Sequence, residues 1–422
     1  MITFDPASLK DEFIAALRAL HDFAEIILDD WEHMHEEDFD FADTQDLTVT
    51  LTSEFEFGVG ADGSARGTVA DIIALSKELP KSKVVDHKVY VSETRALIRV
   101  EPTNEAGQQL ANHLDQHRAS TSRRFETSFG DVRVALVNGY TPFAIHMMKL
   151  GEYDRDTYPT FHDYDLFIEM TFPAGTKEEV WQPLVPAFLF EVDDQAGMAF
   201  SPARRATYDE LWPEEYDEEA YLRELDALRL RPLMAGPGVE SLLRLYERAI
   251  GRENDPEQHF VGFVKVMEYV SATVINSERN AQLRRRLLSP RALAPDAAFI
   301  RDLAQLIEAL RSFKKDSEAL RLTVETCCDL VQLVEHAPPH QRALASITEG
   351  STPQERKKAF DALSATFSAT RNMFSHAKAN YTMTGDECPD SELDQLTDCA
   401  RVAAQQCVRW FAHSDVSLRI AD

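Results

Sequence analysis

A short polar string near the end of the chain holds the side chains best suited to catalysis. Residues 371–381 read RNMFSHAKANY, so Arg371, Asn372 and His376 lie within six positions. An imidazole titrates near neutral pH and can accept or donate a proton in a reaction. A guanidinium keeps its charge and can donate two hydrogen bonds to one phosphate. This pattern predicts acid–base chemistry at a phosphate, with Arg371, Asn372 and His376 as the catalytic residues.

Helical periodicity indicates how these side chains are presented. The apolar stripe of the surrounding helix consists of Phe360, Leu363, Phe367 and Phe374. At about 100° per residue, Asn372 and His376 form an i, i+4 pair on the side opposite Phe367. Arg371 flanks the stripe, about 40° from Phe367. We therefore expect His376 to face solvent, another helix or another subunit rather than the core.

The string also resembles a known family motif. An arginine, a polar neighbour, three variable residues and a histidine make up the R-N-x-x-x-H form of the HEPN motif, as residues 371–376 do. HEPN proteins are small helical domains, and many are ribonucleases of toxins, antiphage systems and CRISPR effectors. The resemblance covers residues 235–422, although its specific part is the motif. It implies a helical bundle, a metal-independent endoribonuclease without a cofactor, and a homodimer in which two motifs form one composite active site.

RNA would supply its own nucleophile in such a reaction, because a 2′-hydroxyl lies beside each phosphodiester. His376 would remove the proton from that hydroxyl or donate one to the leaving 5′-oxygen. Arg371 would bind the phosphate as negative charge builds up, and Asn372 would orient the imidazole or contact the phosphate. The expected products are a 2′,3′-cyclic phosphate and a 5′-hydroxyl. Lys378 is either a contact to the RNA backbone or a solvated lysine.

Similar spacings elsewhere in the chain test the motif's specificity. Arg155 with His162 and Arg252 with His259 have comparable separations, but a proline lies within each pair. Proline argues against one continuous helix through both residues. Only the pair at 371–376 lies on an uninterrupted helical pattern and carries the adjacent asparagine.

Three further signals favour ordinary structural roles. GVGADG at 58–63 fits a glycine-rich phosphate loop, but no βαβ unit surrounds it, so a hairpin turn is favoured. His113 and His117 form an i, i+4 pair that lacks a third metal ligand, which favours a solvent-facing pair. The basic residues 284–286 are either a solvated surface or part of an RNA path.

The charge is unevenly spread along the 422 residues. Residues 235–422 hold 23 basic and 26 acidic residues, whereas residues 1–234 hold 21 and 46, so most of the net charge of −28 belongs to the first half. A surface that binds a polyanion should not be acidic. We therefore expect RNA to contact the C-terminal half, while the acidity of the first half serves solubility or regulation.

Composition indicates a globular protein of two or three domains. The N-terminal sequence has no secretory pattern, and no run of 18 or more apolar residues occurs, so a cytoplasmic protein without membrane association is expected. The five cysteines lie between residues 327 and 407 without C-x-x-C spacing, which favours reduced, mostly buried thiols and gives no support for a zinc site.

The first half reads as mixed α and β. Asp5 and Pro6 predict the start of a helix that continues to about residue 35. Strands are predicted at 47–57, 88–102 (as a hairpin), 131–140, 164–172 and 186–194, and helices at 105–120 and 205–230. Because no long βαβ rhythm occurs, we expect a mixed or antiparallel sheet.

The second half reads as helical. A stretch rich in proline and glycine, RPLMAGPGVE, predicts a domain boundary between residues 234 and 235. Helices are predicted at 239–251, 257–287, 296–336, 353–380 and 391–412. The fourth begins with a capping box and a proline at its first position, Thr352-Pro353-Gln354-Glu355.

The predicted protein is therefore α+β, with a mixed α/β sensor or regulatory region at 1–234 and an all-α HEPN domain at 235–422. The predicted function is an inducible endoribonuclease of antiphage defence or of a toxin system, controlled by a phage-derived or antitoxin regulator. One alternative is a non-catalytic HEPN module that binds a nucleotide or a partner. Another is a protein whose main activity lies in the first half, with the helical domain as a dimeriser.

Overall fold

Two compact units make up the chain. The computed structural model describes residues 2–24, 47–58, 64–86, 88–116, 123–138, 142–150, 166–203, 218–251, 255–311, 316–375 and 382–419. Contacts divide the chain into Met1–Leu233, here the sheet unit, and Met234–Asp422, here the helical unit. The division lies one residue before the boundary that the proline- and glycine-rich stretch predicts.

The sheet unit contains both kinds of element. Its strands are β1 (Ile2–Phe4), β2 (Leu47–Val49), β3 (Glu54–Gly58), β4 (Ser64–Thr68), β5 (Lys83–Val85), β6 (Val89–Val91), β7 (Arg95–Pro102), β8 (Arg123–Phe129), β9 (Val132–Asn138), β10 (Leu166–Thr171) and β11 (Phe200–Pro202). Its helices are α1 (Ser8–Phe23), α2 (Val69–Glu78), α3 (Glu105–Gln116), α4 (Pro142–Lys149), α5 (Glu178–Trp181), α6 (Leu184–Ala196) and α7 (Glu218–Ala227).

Seven of these strands form one sheet. The order is β5-β6-β7-β10-β9-β8, and β11 also pairs with β7. Every pairing in this sheet is antiparallel, which confirms the predicted sheet type. The strands β1 and β2 pair in parallel, and β3 with β4 forms an antiparallel hairpin.

One hydrophobic cluster joins the sheet to α1, α2 and α4. It includes the buried stripe of α1 together with Ile72, Phe143 and Phe167. Phe143 and Phe167 lie 5.2 Å apart between ring centroids. Burial of such large apolar side chains supplies most of the driving force for this packing.

Several predicted elements of the sheet unit are wrong. The stretch 186–194 is helical within α6 rather than a strand, and because the first ten residues of α6 are all buried, its sequence shows neither helical nor strand periodicity. The predicted strand 47–57 is broken by a turn in which Ser53 donates its backbone N–H to the Thr50 carbonyl. The first helix begins at Ser8 rather than after Asp5, and Ala24 is extended, so it ends at Phe23.

The helical unit contains eight α-helices among its described residues. They are α8 (Val239–Ile250), α9 (Pro256–Leu287), α10 (Ala297–Arg311), α11 (Asp316–Cys327), α12 (Leu330–Leu333), α13 (Arg342–Ala345), α14 (Pro353–Ser375) and α15 (Leu393–His413). The predicted helix at 296–336 is therefore wrong as a single element. Asp329 starts α12 by accepting the backbone N–H of Val331.

The long helix α9 is the common partner of the unit. It contacts α8, α10, α11, α14 and α15. Gly262 allows the close approach of α8, because a Cβ atom at that position would lie 2.8 Å from Cβ of Ala249. None of the helices that the structure describes has the length and apolarity required to span a bilayer.

Candidate active site

The helix that carries the motif is anchored at its first turn. Thr352 donates its backbone N–H to Glu355 Oε2 at 2.7 Å, and the backbone N–H of Glu355 donates to Thr352 Oγ1 at 3.3 Å. These reciprocal bonds confirm the predicted capping box. The same contacts lower the pKa of Glu355, mainly through the Thr352 backbone.

The apolar stripe seats the C-terminal half of α14 against the start of α9. Leu363 and Phe367 are fully buried. Phe260 of α9 contacts both Phe367 and Phe374 edge-on, with ring centroids 5.9 and 6.2 Å away. Edge-to-face aromatic pairs favour one relative orientation. This packing fixes the helix on which Arg371 and Asn372 lie.

Arg371 is held by a carboxylate from α9. Its Nη2 donates to Glu268 Oε2 at 3.0 Å and lies 2.8 Å from Oε1 of the same carboxylate, and its Nη1 donates to Asn372 Oδ1 at 3.0 Å. The side chains of Arg371 and Glu268 are 26% and 29% exposed, so the pair lies at the surface of the unit. A charge-assisted bond on one side and an amide on the other restrict the guanidinium to one orientation.

Glu268 is itself positioned by the start of α9. Asp255 accepts the backbone N–H groups of Glu257 and Gln258 and thereby caps the helix, with Pro256 at its first position. Hydrogen bonds, chiefly from Gln258, lower the pKa of Asp255. The carboxylate of Glu268 therefore projects from a helix whose start is fixed.

The segment after the motif is tied back to α14. The backbone N–H of Cys388 donates at 2.9 Å to Oγ1 of Thr370, the residue that precedes Arg371. The carboxylate of Glu387 accepts the backbone N–H groups of Thr384 and Gly385, at 2.7 and 2.8 Å. Gly385 has φ +92°, a conformation that favours glycine. Both described flanks of residues 376–381 are thus anchored.

The structure brings two of the four predicted site residues together. Arg371 and Asn372 are in contact. His376 and Lys378 lie outside the described residues. Sequence reasoning missed Glu268, because it lies 103 positions from Arg371 and no motif joins the two.

Other predicted features have different outcomes. His113 is 3% exposed and its ring lies 5.5 Å from that of Tyr221, so the prediction that it faces solvent is wrong; α7 covers it. His117, the turn at 59–63 and both arginines of the alternative motifs lie outside the described residues. Residues 284–286 are exposed, which leaves both readings of this basic stretch open.

Four of the five cysteines are buried, as predicted. Burial raises the pKa of Cys388 to about 12, and it raises the pKa of Cys399 as well. Both therefore remain protonated thiols at neutral pH, which is a poor state for a nucleophile or a metal ligand. Within the described residues, no group of three or more His, Cys, Asp or Glu side chains could hold a metal ion.

No protein-family model matches this chain, and no curated protein or solved structure is significantly similar to it.

Proposed function

We propose that the helical unit is a metal-independent endoribonuclease of HEPN type, with Arg371, Asn372 and His376 as its catalytic residues. One observation carries the proposal. The guanidinium of Arg371 is fixed by Glu268 and Asn372 at the surface of the unit while a quarter of its side chain stays exposed. A permanent cation held in this way is suited to a phosphate, and the motif supplies an imidazole five positions later.

The proposed reaction needs one proton acceptor and one proton donor. His376 takes the proton from the 2′-hydroxyl, and that oxygen attacks the adjacent phosphorus. The bond to the 5′-oxygen breaks, and the leaving oxygen receives a proton from a second imidazole or from water. The products are a 2′,3′-cyclic phosphate and a 5′-hydroxyl. Arg371 stabilises the negative charge of the transition state, and Asn372 holds the guanidinium.

A homodimer would complete the site. One imidazole and one guanidinium are few groups for two proton transfers at one phosphate. A second copy would bring another Arg371 and His376 to the same linkage. Lys378 would then contact the RNA backbone beside the cleaved bond.

The sheet unit is proposed as the sensor or brake. Its residues carry nearly all of the net negative charge, which disfavours RNA binding there. A constantly active ribonuclease would harm its host. An inducible effector of antiphage defence, or a toxin controlled by an antitoxin or a phage-derived regulator, fits both the acidity of the sheet unit and the need to restrain the ribonuclease.

Labelled RNA separates this proposal from its alternatives. Purified full-length protein is incubated with RNA in EDTA, beside His376→Ala, Arg371→Ala and the matched control His413→Ala, which removes an exposed histidine of the same unit. We expect cyclic-phosphate ends with the wild type and the control, and a loss of at least about 100-fold with the two motif variants.

The other outcomes point elsewhere. Cleavage that EDTA abolishes would indicate a metal enzyme instead. Cleavage that survives in both motif variants would move the activity to the sheet unit. If no RNA is cleaved even with lysate from infected cells, the non-catalytic HEPN module that binds a nucleotide or a partner is favoured.

A further inference from the structure

A group of exposed apolar side chains lies where α9 ends and α10 begins. Among the described residues twelve large apolar side chains are exposed, and five of them fall between residues 287 and 307. Single exposed leucines are ordinary, but a concentration of this kind marks a surface that binds a partner or a membrane. These five side chains are here called the apolar edge: Leu287, Leu288, Leu293, Ile300 and Ile307.

The turn that carries the most exposed leucines is held by its own hydrogen bonds. Leu288 and Leu293 are 80% and 91% exposed, the two highest values among the twelve. The backbone N–H of Leu288 donates to the carbonyl of Arg284 at 2.8 Å, and Ser289 Oγ donates to the carbonyl of Arg286 at 2.7 Å. The two leucines therefore extend from a fixed turn, and their exposure is that of a projecting tip rather than of a groove.

The first turns of α10 extend the apolar edge. Ile300 and Ile307 are seven positions apart, so they lie about 20° from each other around the helix axis. Phe299 lies about 100° from Ile300 and is only 4% exposed, with the guanidinium of Arg291 at 6.0 Å from its ring centroid. One side of the apolar face of α10 is thus covered within the unit, whereas the side of the two isoleucines is open.

The charge beside the apolar edge is positive, although the chain as a whole carries a net charge of −28. Residues 284–293 contain four arginines and no acidic residue. Two of the four have acidic neighbours: Arg291 lies 3.1 Å from Asp296, and Arg284 lies near the carboxylate of Asp415.

The other two arginines carry uncompensated charge. Arg285 and Arg286 are exposed and have no ion-pair partner in the part of the chain that the structure describes. Two free cations therefore flank the two projecting leucines.

This combination favours an anionic bilayer over other partners. A second copy of the chain would bring the same surface against itself, and Arg285 and Arg286 would then face like charges. RNA would satisfy the arginines but would leave the leucines in water. A bilayer offers an apolar interior to the leucines and anionic headgroups to the arginines.

We propose that the apolar edge binds the surface of an anionic phospholipid bilayer. Leu288 and Leu293 insert among the acyl chains, and Arg285 and Arg286 interact with the headgroups. Such a contact is peripheral and requires no spanning helix. It departs from the expectation of no membrane association, which rested on the lack of long apolar runs, and it does not depend on the ribonuclease activity.

Flotation of the full-length protein with vesicles tests the surface. One set consists of phosphatidylcholine alone, and in the other about one third of this lipid is replaced by phosphatidylglycerol. We expect at least tenfold tighter binding to the anionic set, because each arginine near such a surface contributes roughly a fivefold factor. Added salt should weaken this binding without abolishing it, since salt does not screen the contribution of the leucines.

A leucine variant assigns the apolar part of the contact. Leu288→Gln combined with Leu293→Gln should weaken binding to the anionic vesicles at least tenfold, because burial of one leucine already contributes about that factor. The control, Leu150→Gln combined with Met383→Gln, also removes two exposed apolar side chains and should leave the affinity unchanged. If circular dichroism shows that the first variant does not fold, Leu293→Gln alone replaces it, with an expected loss of at least about threefold.

An arginine variant assigns the charged part. Arg285→Gln combined with Arg286→Gln should weaken binding to the anionic vesicles at least tenfold and leave binding to phosphatidylcholine unchanged. The control, Arg342→Gln combined with Lys358→Gln, removes two other exposed cations of the same unit and should have no effect.

Three results would overturn the proposal. They are no binding to the anionic vesicles, equal affinity for the two vesicle sets, and an equal loss in either control. In the first case, a dimer that the leucine variant dissociates in sedimentation would assign the surface to a second copy, and RNA binding that the arginine variant abolishes would assign it to RNA. Because none of these measurements involves RNA cleavage, failure here is distinguishable from failure of the proposed ribonuclease.

Discussion

Each unit contains an arginine that is paired with one or more carboxylates. The two clusters differ in the number of carboxylates that neutralise the arginine. In the sheet unit, Arg95 of β7 donates to Glu78 at 3.1 Å and to Glu169 at 3.4 Å, and Tyr90 donates to Glu78 at 2.9 Å. Burial alone would raise the pKa of Glu78, but the bond and charge of Arg95 hold it below its ordinary value. This cluster of Glu78, Tyr90, Arg95 and Glu169, here the closed cluster, joins α2 to β6, β7 and β10.

The corresponding cluster of the helical unit, here the open cluster, consists of Arg371, Glu268 and Asn372. Its arginine is 26% exposed, as Arg95 is at 25%, but its carboxylate is more exposed. Arg371 has one carboxylate, that of Glu268, and one amide, that of Asn372. Glu169 is only 7% exposed in its side chain, whereas Glu268 is 29% exposed. Two carboxylates satisfy an arginine that has a structural role, whereas one carboxylate orients an arginine and still leaves it able to bind an anion. The comparison predicts that the first cluster matters for stability and the second for activity.

The largest expected effect follows from breaking the closed cluster. Arg95→Ala leaves Glu78 and Glu169 without their shared cation, so the sheet unit should lose about 3–5 kcal/mol of unfolding free energy. Urea denaturation followed by circular dichroism measures the loss. The control is Lys81→Ala, whose pair with Glu93 is about 60% exposed and should contribute no more than roughly 1 kcal/mol. A loss below about 1 kcal/mol for Arg95→Ala would remove the structural role.

The sequence predicted the local features of the helical unit but not the contact between Arg371 and Glu268. The capping box of Thr352 and Glu355 was predicted correctly because it requires only four consecutive residues. The periodic helices α8, α9 and α15 also have nearly their predicted bounds. Glu268 was not predictable, because its partnership with Arg371 depends on how α9 packs against α14. A sequence pattern carries no information on such a distant pair.

Burial explains the main error in the fold. The first ten residues of α6 are all buried and mostly apolar, so their pattern resembles that of an interior strand. Gly197, with φ +67°, ends this helix, but a glycine after an apolar run also fits the end of a strand. Length and periodicity alone could not distinguish the two.

Acid should next affect the surroundings of the closed cluster, where the ring of His146 lies 5.6 Å from that of Tyr90. His146 lies 2.7 Å from Ser82 Oγ, and burial, together with Lys149, lowers its pKa to about 4. The unfolded chain therefore binds a proton in the range from about 6.5 down to 4 that the folded chain does not, and stability falls with pH across this window by up to about 3 kcal/mol. The lowered pKa of Glu78 adds a further loss below its unfolded value of 4.5.

Hydrogen exchange at a series of pH values locates this loss. Protection should fall first in α2, α4 and β6 of the sheet unit. His146→Gln keeps a donor for Ser82 but cannot titrate, so it should flatten the change between pH 6.5 and 4. An equal slope in that variant would show that another group is responsible.

A smaller effect should follow from moving the helix that carries Glu268. Gly262→Ala would place a Cβ atom 2.8 Å from that of Ala249. Overpacking costs about 1–3 kcal/mol, whereas alanine in a helix gains up to about 1 kcal/mol over glycine, so a net loss of about 1–2 kcal/mol is expected. Thermal unfolding measures it against Gly350→Ala, whose added Cβ atom would lie 3.9 Å from Thr348 Oγ1. A stabilised Gly262→Ala would show that α8 and α9 can separate without cost.

The smallest effect addresses the open cluster directly. Glu268→Gln keeps the shape of the side chain and one acceptor for Arg371 but removes the charge. If Glu268 acts as a positioning residue, the variant should lower kcat for RNA cleavage by about three- to tenfold, with little change in KM and less than about 1 kcal/mol in stability. The matched control, Glu325→Gln, alters a surface pair with Arg321 in the same unit and should change neither constant. A rise in activity for Glu268→Gln would mean instead that the carboxylate competes with the RNA phosphate for Arg371, and the open cluster would then be a brake.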